Sequence, residues 1–289
     1  LEVSPDYLLK PPSVSIESIE FRKKRSFSEK KLDFVRGIIR YEIEKYVEIE
    51  DIFGIHPEDS KLKKIQVQNK EDVINAAKKI REKWKLGEDG IVNVVNTLEE
   101  NGIKVILLHD IEKLDGMSCL TSGGPVIIFN KSKNVERERL TLLHELGHLV
   151  LDFADSFSEK EREKLCSLFA NEMLIPRSVF LEIVGNRRKN IEMSELKDIQ
   201  SKFGISVDAL IVKARENEVI SEQSYRRYWI QRNQKKLEIA DQSYAQPEVP
   251  TRFERLVHKA IASDVISLSK ASELLEKPLE FVREQIALV

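Results

Sequence analysis

Residues 141–150 read TLLHELGHLV, in which two histidines stand four positions apart and a glutamate follows the first of them. On a helix, His144 and His148 leave the same face with Cβ atoms roughly 5–6 Å apart. Their ring nitrogens can therefore meet one tetrahedral metal ion at about 2.0–2.1 Å. Glu145 sits one residue further round, poorly placed to share that ion but able to take a proton from a water held on it. Two ligands and a general base at this spacing are the pattern of a zinc hydrolase. The competing reading is a pair of partly buried histidines on an ordinary core helix.

The helix itself must be buried and rigid. Leu140, Leu142, Leu143, Leu146, Leu149, Val150 and Leu151 give it a broad apolar face. Gly147 costs about 1 kcal/mol in a helix interior relative to alanine, which is reasonable where another element approaches closely. A catalytic zinc needs a third protein ligand and one open position. No third histidine follows His148 at metzincin spacing, so the third ligand is expected to be a carboxylate. Asp152, Asp155, Glu159, Glu161, Glu163 and Glu172 are the candidates.

Residues 163–176, EKLCSLFANEMLIP, form a second helix ended by a proline. Together the two segments resemble the ImmA/IrrE family of metallopeptidases, which joins a HELGH helix to a helix reading roughly E-x-x-(A/C)-(N/S)-x-F-A-x-x-L-L-M-P. Matched from Pro176 backward, the family's ligand glutamate falls on Glu163, with Glu172 as the alternative. Cys166, Ser167, Asn171, Met173 and Ile175 stand where Ala, Asn, Ala, Leu and Met are common. The resemblance covers about residues 72–232. It implies an α+β, predominantly helical, zincin-like core with a small β-sheet and the HExxH helix. The run 83–95 looks like the family's early helix pair. Residues 102–108 and 124–130, rich in branched apolar side chains, read as strands. By resemblance, the second of these edges the cleft where an extended substrate adds.

Cys119 lies in 115–124, DGMSCLTSGG, which reads as a flexible loop before that strand. A thiolate reaching the open position would make a latent enzyme; the bland reading is a small buried side chain. Cys166 reads as core, and most of 155–164 as a solvated turn. Residues 195–215 have a helix, glycine turn, helix shape that the resemblance assigns to packing. Tyr225 and Tyr228, in a dense aromatic and basic cluster, are candidates for stabilising an oxyanion.

Residues 1–12 resemble the last helix and exit of a lambda-repressor-like helix-turn-helix domain, which would make DNA binding a property of an upstream segment. The expected organisation is 1–27 tail and linker, 28–65 a long amphipathic helix capped by Ser28, 66–240 the peptidase, 241–250 a polar linker and 251–289 a small helical segment. The long helix, with Leu32, Val35, Ile39, Ile43 and Tyr46 on one stripe, either dimerises or packs on the peptidase. The Arg22–Arg25 cluster reads as solvated linker, without interleaved aromatics.

Composition agrees with a cytoplasmic protein. Lys and Arg number 47 against 49 Asp and Glu, so the net charge of −2 points to neither nucleic acid nor membrane. Two cysteines are too few for a disulfide framework. The expected function is Zn2+-dependent hydrolysis of a specific regulatory protein, by resemblance a helix-turn-helix repressor or an antitoxin. The alternative is a DNA-binding regulator whose zinc domain senses a ligand or partner.

Overall fold

The computed structural model describes residues 16–19, 29–56, 62–109, 111, 114–132, 134–234 and 244–287. Residues 1–12, the Arg22–Arg25 cluster and Ser28 lie outside them. In chain order the elements are β1 (Ile16–Ile19), α1 (Glu29–Ile52), β2 (Ile65–Val67), α2 (Lys70–Lys83), α3 (Val94–Glu100), β3 (Lys104–Leu108), β4 (Gly116–Thr121) and β5 (Gly124–Asn130). Then follow α4 (Val135–Val150), β6 (Leu151–Phe153), α5 (Glu159–Leu174), α6 (Arg177–Val184), α7 (Met193–Phe203), α8 (Val207–Glu216), α9 (Glu222–Asn233), α10 (Arg252–Ala262), α11 (Leu268–Leu275) and α12 (Leu279–Ala287). The fold is α+β, predominantly helical, with a small sheet beside the HExxH helix.

The sheet is ordered β1-β4-β5-β3, with β3 parallel to β5 and the other pairs antiparallel. Successive strand side chains point to opposite faces, and here both faces are covered. Val105, Ile127 and Phe129 join Leu142, Leu143 and Leu146 of α4 in the main core. Ile106, Leu108, Val126 and Ile128 pack instead with Val35, Ile39 and Ile43 of α1. The long helix is thus a layer of the body, and its apolar stripe is what the far face of the sheet requires.

Residues 116–121, read as loop, form β4 itself, because their hydrogen-bond partners lie on β5. Strand β5 is consequently interior, between β4 and β3, and β4 and β5 both pack against α4. A second, two-stranded parallel sheet joins β2 to β6, directly after the metal helix. The acidic stretch before Glu163 is also ordered: Ser158 and Glu161 form a capping box and α5 starts at Glu159. Gly204, with φ +59°, turns the chain between α7 and α8, both of which bury their apolar faces in the main core. They pack rather than present a reading helix.

The polar segment 244–250 is pinned. Glu248, fully buried, pairs with the equally buried Arg139 of α4 at 2.6 Å and accepts from the Val94 and Val95 amides that open α3. Arg139 also donates to Ile91 O and stacks on Tyr244, its guanidinium carbon 4.2 Å from the ring centroid. Beyond this segment, α10, α11 and α12 close over Ile49 at the end of α1. Glu50 binds Lys104 (2.6 Å) and Arg252 across the same junction.

Removing Glu248 leaves a buried guanidinium uncompensated and strips two amides of their acceptor. Glu248→Ala is expected to lower unfolding stability by about 3–5 kcal/mol in urea titration, and a loss below about 1 kcal/mol would refute the anchor. Glu99, buried between α3 and the start of α10, accepts from Arg252 N at 3.1 Å, and burial raises its carboxyl from 4.5 to about 7. The folded state therefore holds a proton that the unfolded chain has lost, so this stability is present at low pH and disappears as pH rises through 7. Glu99→Gln should gain on wild type by up to about 3 kcal/mol between pH 5 and 8; a difference that does not change with pH would refute the assignment.

Candidate metal centre

Asn134 caps α4, which carries both histidines, and the helix runs unbroken to Val150. Gly147 lets α5 come against it: a Cβ there would lie 3.3 Å from Cys166 Cβ and from Phe169 Cδ1. Gly116 does the same for β4, where a Cβ would stand 2.5 Å from Thr141 Cγ2 and 3.3 Å from Glu145 Cγ. The active face of α4 is thereby clasped by a strand on one side and a helix on the other.

His144 Nε2 lies 3.2 Å from His148 Nε2. Glu163 on α5 places one carboxylate oxygen 3.5 Å from His144 Nε2 and the other 3.3 Å from His148 Nε2. Two ligands bound tetrahedrally at about 2.0–2.1 Å are separated by roughly 3.3 Å. Each separation is close to that of two ligands on one ion, and the Glu163 carboxylate, with one oxygen toward each ring, completes a donor set that fits a zinc-sized ion. His144, His148 and Cys166 also form a compact group of metal-ligating side chains. Cys166 Sγ, however, lies 3.6 Å from His148 Nδ1, the ring nitrogen opposite Glu163. One ion cannot use both nitrogens of one ring, and the carboxylate side is the one His144 Nε2 also faces.

Cys166 and Ser167 instead hold the imidazoles from behind. Ser167 Oγ is 3.1 Å from His144 Nδ1 and donates to Glu163 O at 3.0 Å. With Nδ1 occupied in each ring, Nε2 is the nitrogen presented to a metal. Glu145, 3% exposed, accepts from Ser118 Oγ at 3.0 Å. Neither serine stood out in the sequence, because a serine beside a motif carries no signal of its own until the neighbouring element is placed.

Glu172 is drawn elsewhere. Its oxygens accept from buried Lys213 of α8 and from Arg177 N, which leaves Glu163 as the carboxylate beside the histidines. Cys119 does not reach the site. It lies on β4 one residue from Ser118, and the strand alternation turns it to the α1 side among Val35, Ile39 and Val126, where burial pushes its thiol up to about 12. The latent-enzyme expectation fails for that geometric reason. Tyr228 is buried and donates to Asp208, both of which raise its pKa. Tyr225 packs edge-on to Trp229 and under Arg215. Neither tyrosine lines the cavities around the histidines.

Among the described residues, Glu145 and Glu163 line two cavities of about 490 and 660 Å³. The smaller is walled by β6, Phe157 and Arg162, the larger by Leu140, Thr141, Asn171 and Arg215. Space therefore lies on either side of the base and the carboxylate.

Residues 98–215 match the family model described as Peptidase_M78, IrrE N-terminal-like domain. This segment is a domain of the ImmA/IrrE metallopeptidase family. It runs from the end of α3 to α8 and so contains every residue of the candidate centre. The chain is also 26% identical over 178 residues to GTPase Era of Mycoplasmopsis pulmonis (strain UAB CTIP), an alignment covering 57% of this chain and 59% of that protein. The chain thus spans under two thirds of that curated relative's length. None of the 11 glycines in this sequence opens a G-x-x-x-x-G-K-[ST] phosphate loop. Among the described residues no helix is long and apolar enough to cross a membrane.

Ser167→Ala and Cys166→Ala should each weaken zinc binding by about 10–100-fold in competition with a chromophoric chelator, as loss of an imidazole's outer partner does. Unchanged affinity in both would show that the two side chains only pack.

Proposed function

We propose that the protein is a zinc-dependent endopeptidase in which His144, His148 and Glu163 hold the ion and Glu145 is the general base. The observation that carries this is the convergence of both Nε2 atoms and the Glu163 carboxylate within 3.2–3.5 Å of one another, with Glu145 next to His144 on the same helix. When bound, zinc supplies Lewis acidity toward water and the scissile carbonyl. Glu145 takes a proton from the attacking water and delivers it to the leaving amine. Ser118 fixes the carboxylate that moves the proton, and Ser167 and Cys166 fix the two rings. Cavity space on both sides of Glu145 and Glu163 supports internal cleavage rather than removal of a terminal residue.

The family resemblance supports a regulatory protein as substrate, a helix-turn-helix repressor or an antitoxin, whose destruction would change transcription.

Wild type and Glu145→Gln, incubated with a proteome-derived peptide mixture, test it together with metal analysis. Equal zinc, close to one ion per chain, is expected in both proteins. New peptide termini should appear at least about 100-fold more slowly with Glu145→Gln. Absence of zinc, or equal cleavage by the two proteins, would overturn the proposal.

A further inference from the structure

The larger cavity extends past the histidines between α4, α5 and α8. Along α5 its wall includes the stripe Glu163, Ser167 and Asn171, at i, i+4 and i+8, flanked by Lys160, Lys164 and Leu168. Among the described residues, two polar side chains that line it have unmet hydrogen-bonding atoms. Asn171, only 8% exposed, leaves Oδ1 with no hydrogen bond. Arg215, half-buried on α8, sits with its guanidinium carbon 4.4 Å from the Tyr225 ring centroid, and its side chain makes no hydrogen bond or ion pair among the described residues. A guanidinium offers five donors and a buried amide its own polar atoms, and leaving them unmet costs desolvation free energy. The cavity's acids are already engaged: Asp115 pairs with Arg137 at 2.8 Å, Glu216 lies 3.9 Å from Lys70, Glu145 holds Ser118 and Glu163 faces the imidazoles. Exposed Lys160 and Lys164 add positive charge at the rim.

We propose that this end of the cleft is a subsite for a substrate carboxylate, with Arg215 as its anchor and Asn171, its amide turned to offer Nδ2, as the second donor. Tyr225 is a positioning residue that holds the guanidinium plane. The inference rests on the peptidase reading and narrows its substrate class. Asn171 lies eight residues beyond Glu163, about 12 Å along the helix. An extended peptide rises about 3.3 Å per residue, so the carboxylate belongs three or four positions from the scissile bond. It comes either from an aspartate or glutamate side chain or from the end of a short chain.

Binding tests this apart from catalysis. Full-length Glu145→Gln, zinc-loaded and immobilised, is exposed to random decapeptides with free or amidated C-termini, and the retained peptides are sequenced. Asp and Glu should be enriched at least fivefold over the input library. Adding Arg215→Ala or Asn171→Asp should abolish the enrichment, while Arg215→Lys keeps part of it. Equal capture of amidated peptides assigns the carboxylate to a side chain, and capture of free C-termini alone assigns it to the chain end. Thermal midpoints matching the parent exclude misfolding as the cause of a loss; if Arg215→Ala unfolds, Arg215→Lys and Asn171→Asp carry the test. Enrichment that survives Arg215→Ala, retained peptides without acidic bias, or no retained peptide would overturn the subsite. Wild-type cleavage without acidic bias would refute the subsite alone, and acidic bias without cleavage would refute the peptidase reading alone.

Discussion

The close approach of α4 and α5 at Gly147 is the constraint on which the centre depends. Two histidines on one helix turn define only a line of possible ion positions, and the third donor must come from another element. A side chain at position 147 would meet Cys166 and Phe169 at van der Waals limits. Without one, α5 lies near enough for Glu163 to reach both Nε2 atoms and for Cys166 and Ser167 to reach both Nδ1 atoms. The helix-propensity cost of the glycine, about 1 kcal/mol, is small against the close packing of α5 that it permits. The same contact buries Phe169 and Leu146 in the main core, so metal geometry and hydrophobic packing are set by one interface.

The sheet supplies the opposite wall. Because both of its faces are covered, by α1 and by α4, the period of two along β4 assigns neighbouring residues to unrelated surroundings. Ser118 reaches Glu145, and Cys119 enters an apolar layer behind it. A one-residue slip would exchange a hydrogen-bond donor for a thiol beside the base. Arg139 and Glu248 then tie the first half of α4 to the chain that leads toward the C-terminal helices. Those helices close over α1 at Ile49, and α1 backs the sheet, so the metal helix is braced from the C-terminal side by two routes.

Much of this was legible from residue patterns. The HExxH spacing, the apolar stripe of α4, the long α1 and strands β3 and β5 all follow local periodicities, and Glu163 followed from a family pattern spread over two helices. Strand β4 was not legible: Gly116, Ser118, Thr121 and Gly124 give a turn-like composition, and the run is a strand only because β5 offers it a partner. The segment before Glu163 looked like solvated turn because its charges are exposed, although the Ser158–Glu161 box was readable as a helix start. The polar stretch around Glu248 looked like a linker because a lone glutamate does not reveal the arginine, 109 positions earlier, that it neutralises.

The sequence by itself determined the chemistry on offer: two imidazoles and a carboxylate at helical spacing, a second helix bringing another carboxylate, and an apolar frame to hold them. Tertiary structure decided which of two glutamates faces the histidines, that Cys119 is turned away, that Ser118, Cys166 and Ser167 hold the reactive groups, and that Arg215 and Asn171 share a cavity. The reason is physical. Spacing along one helix is fixed by its own hydrogen bonds, whereas the meeting of side chains on different elements depends on packing, and packing is settled by the whole core at once.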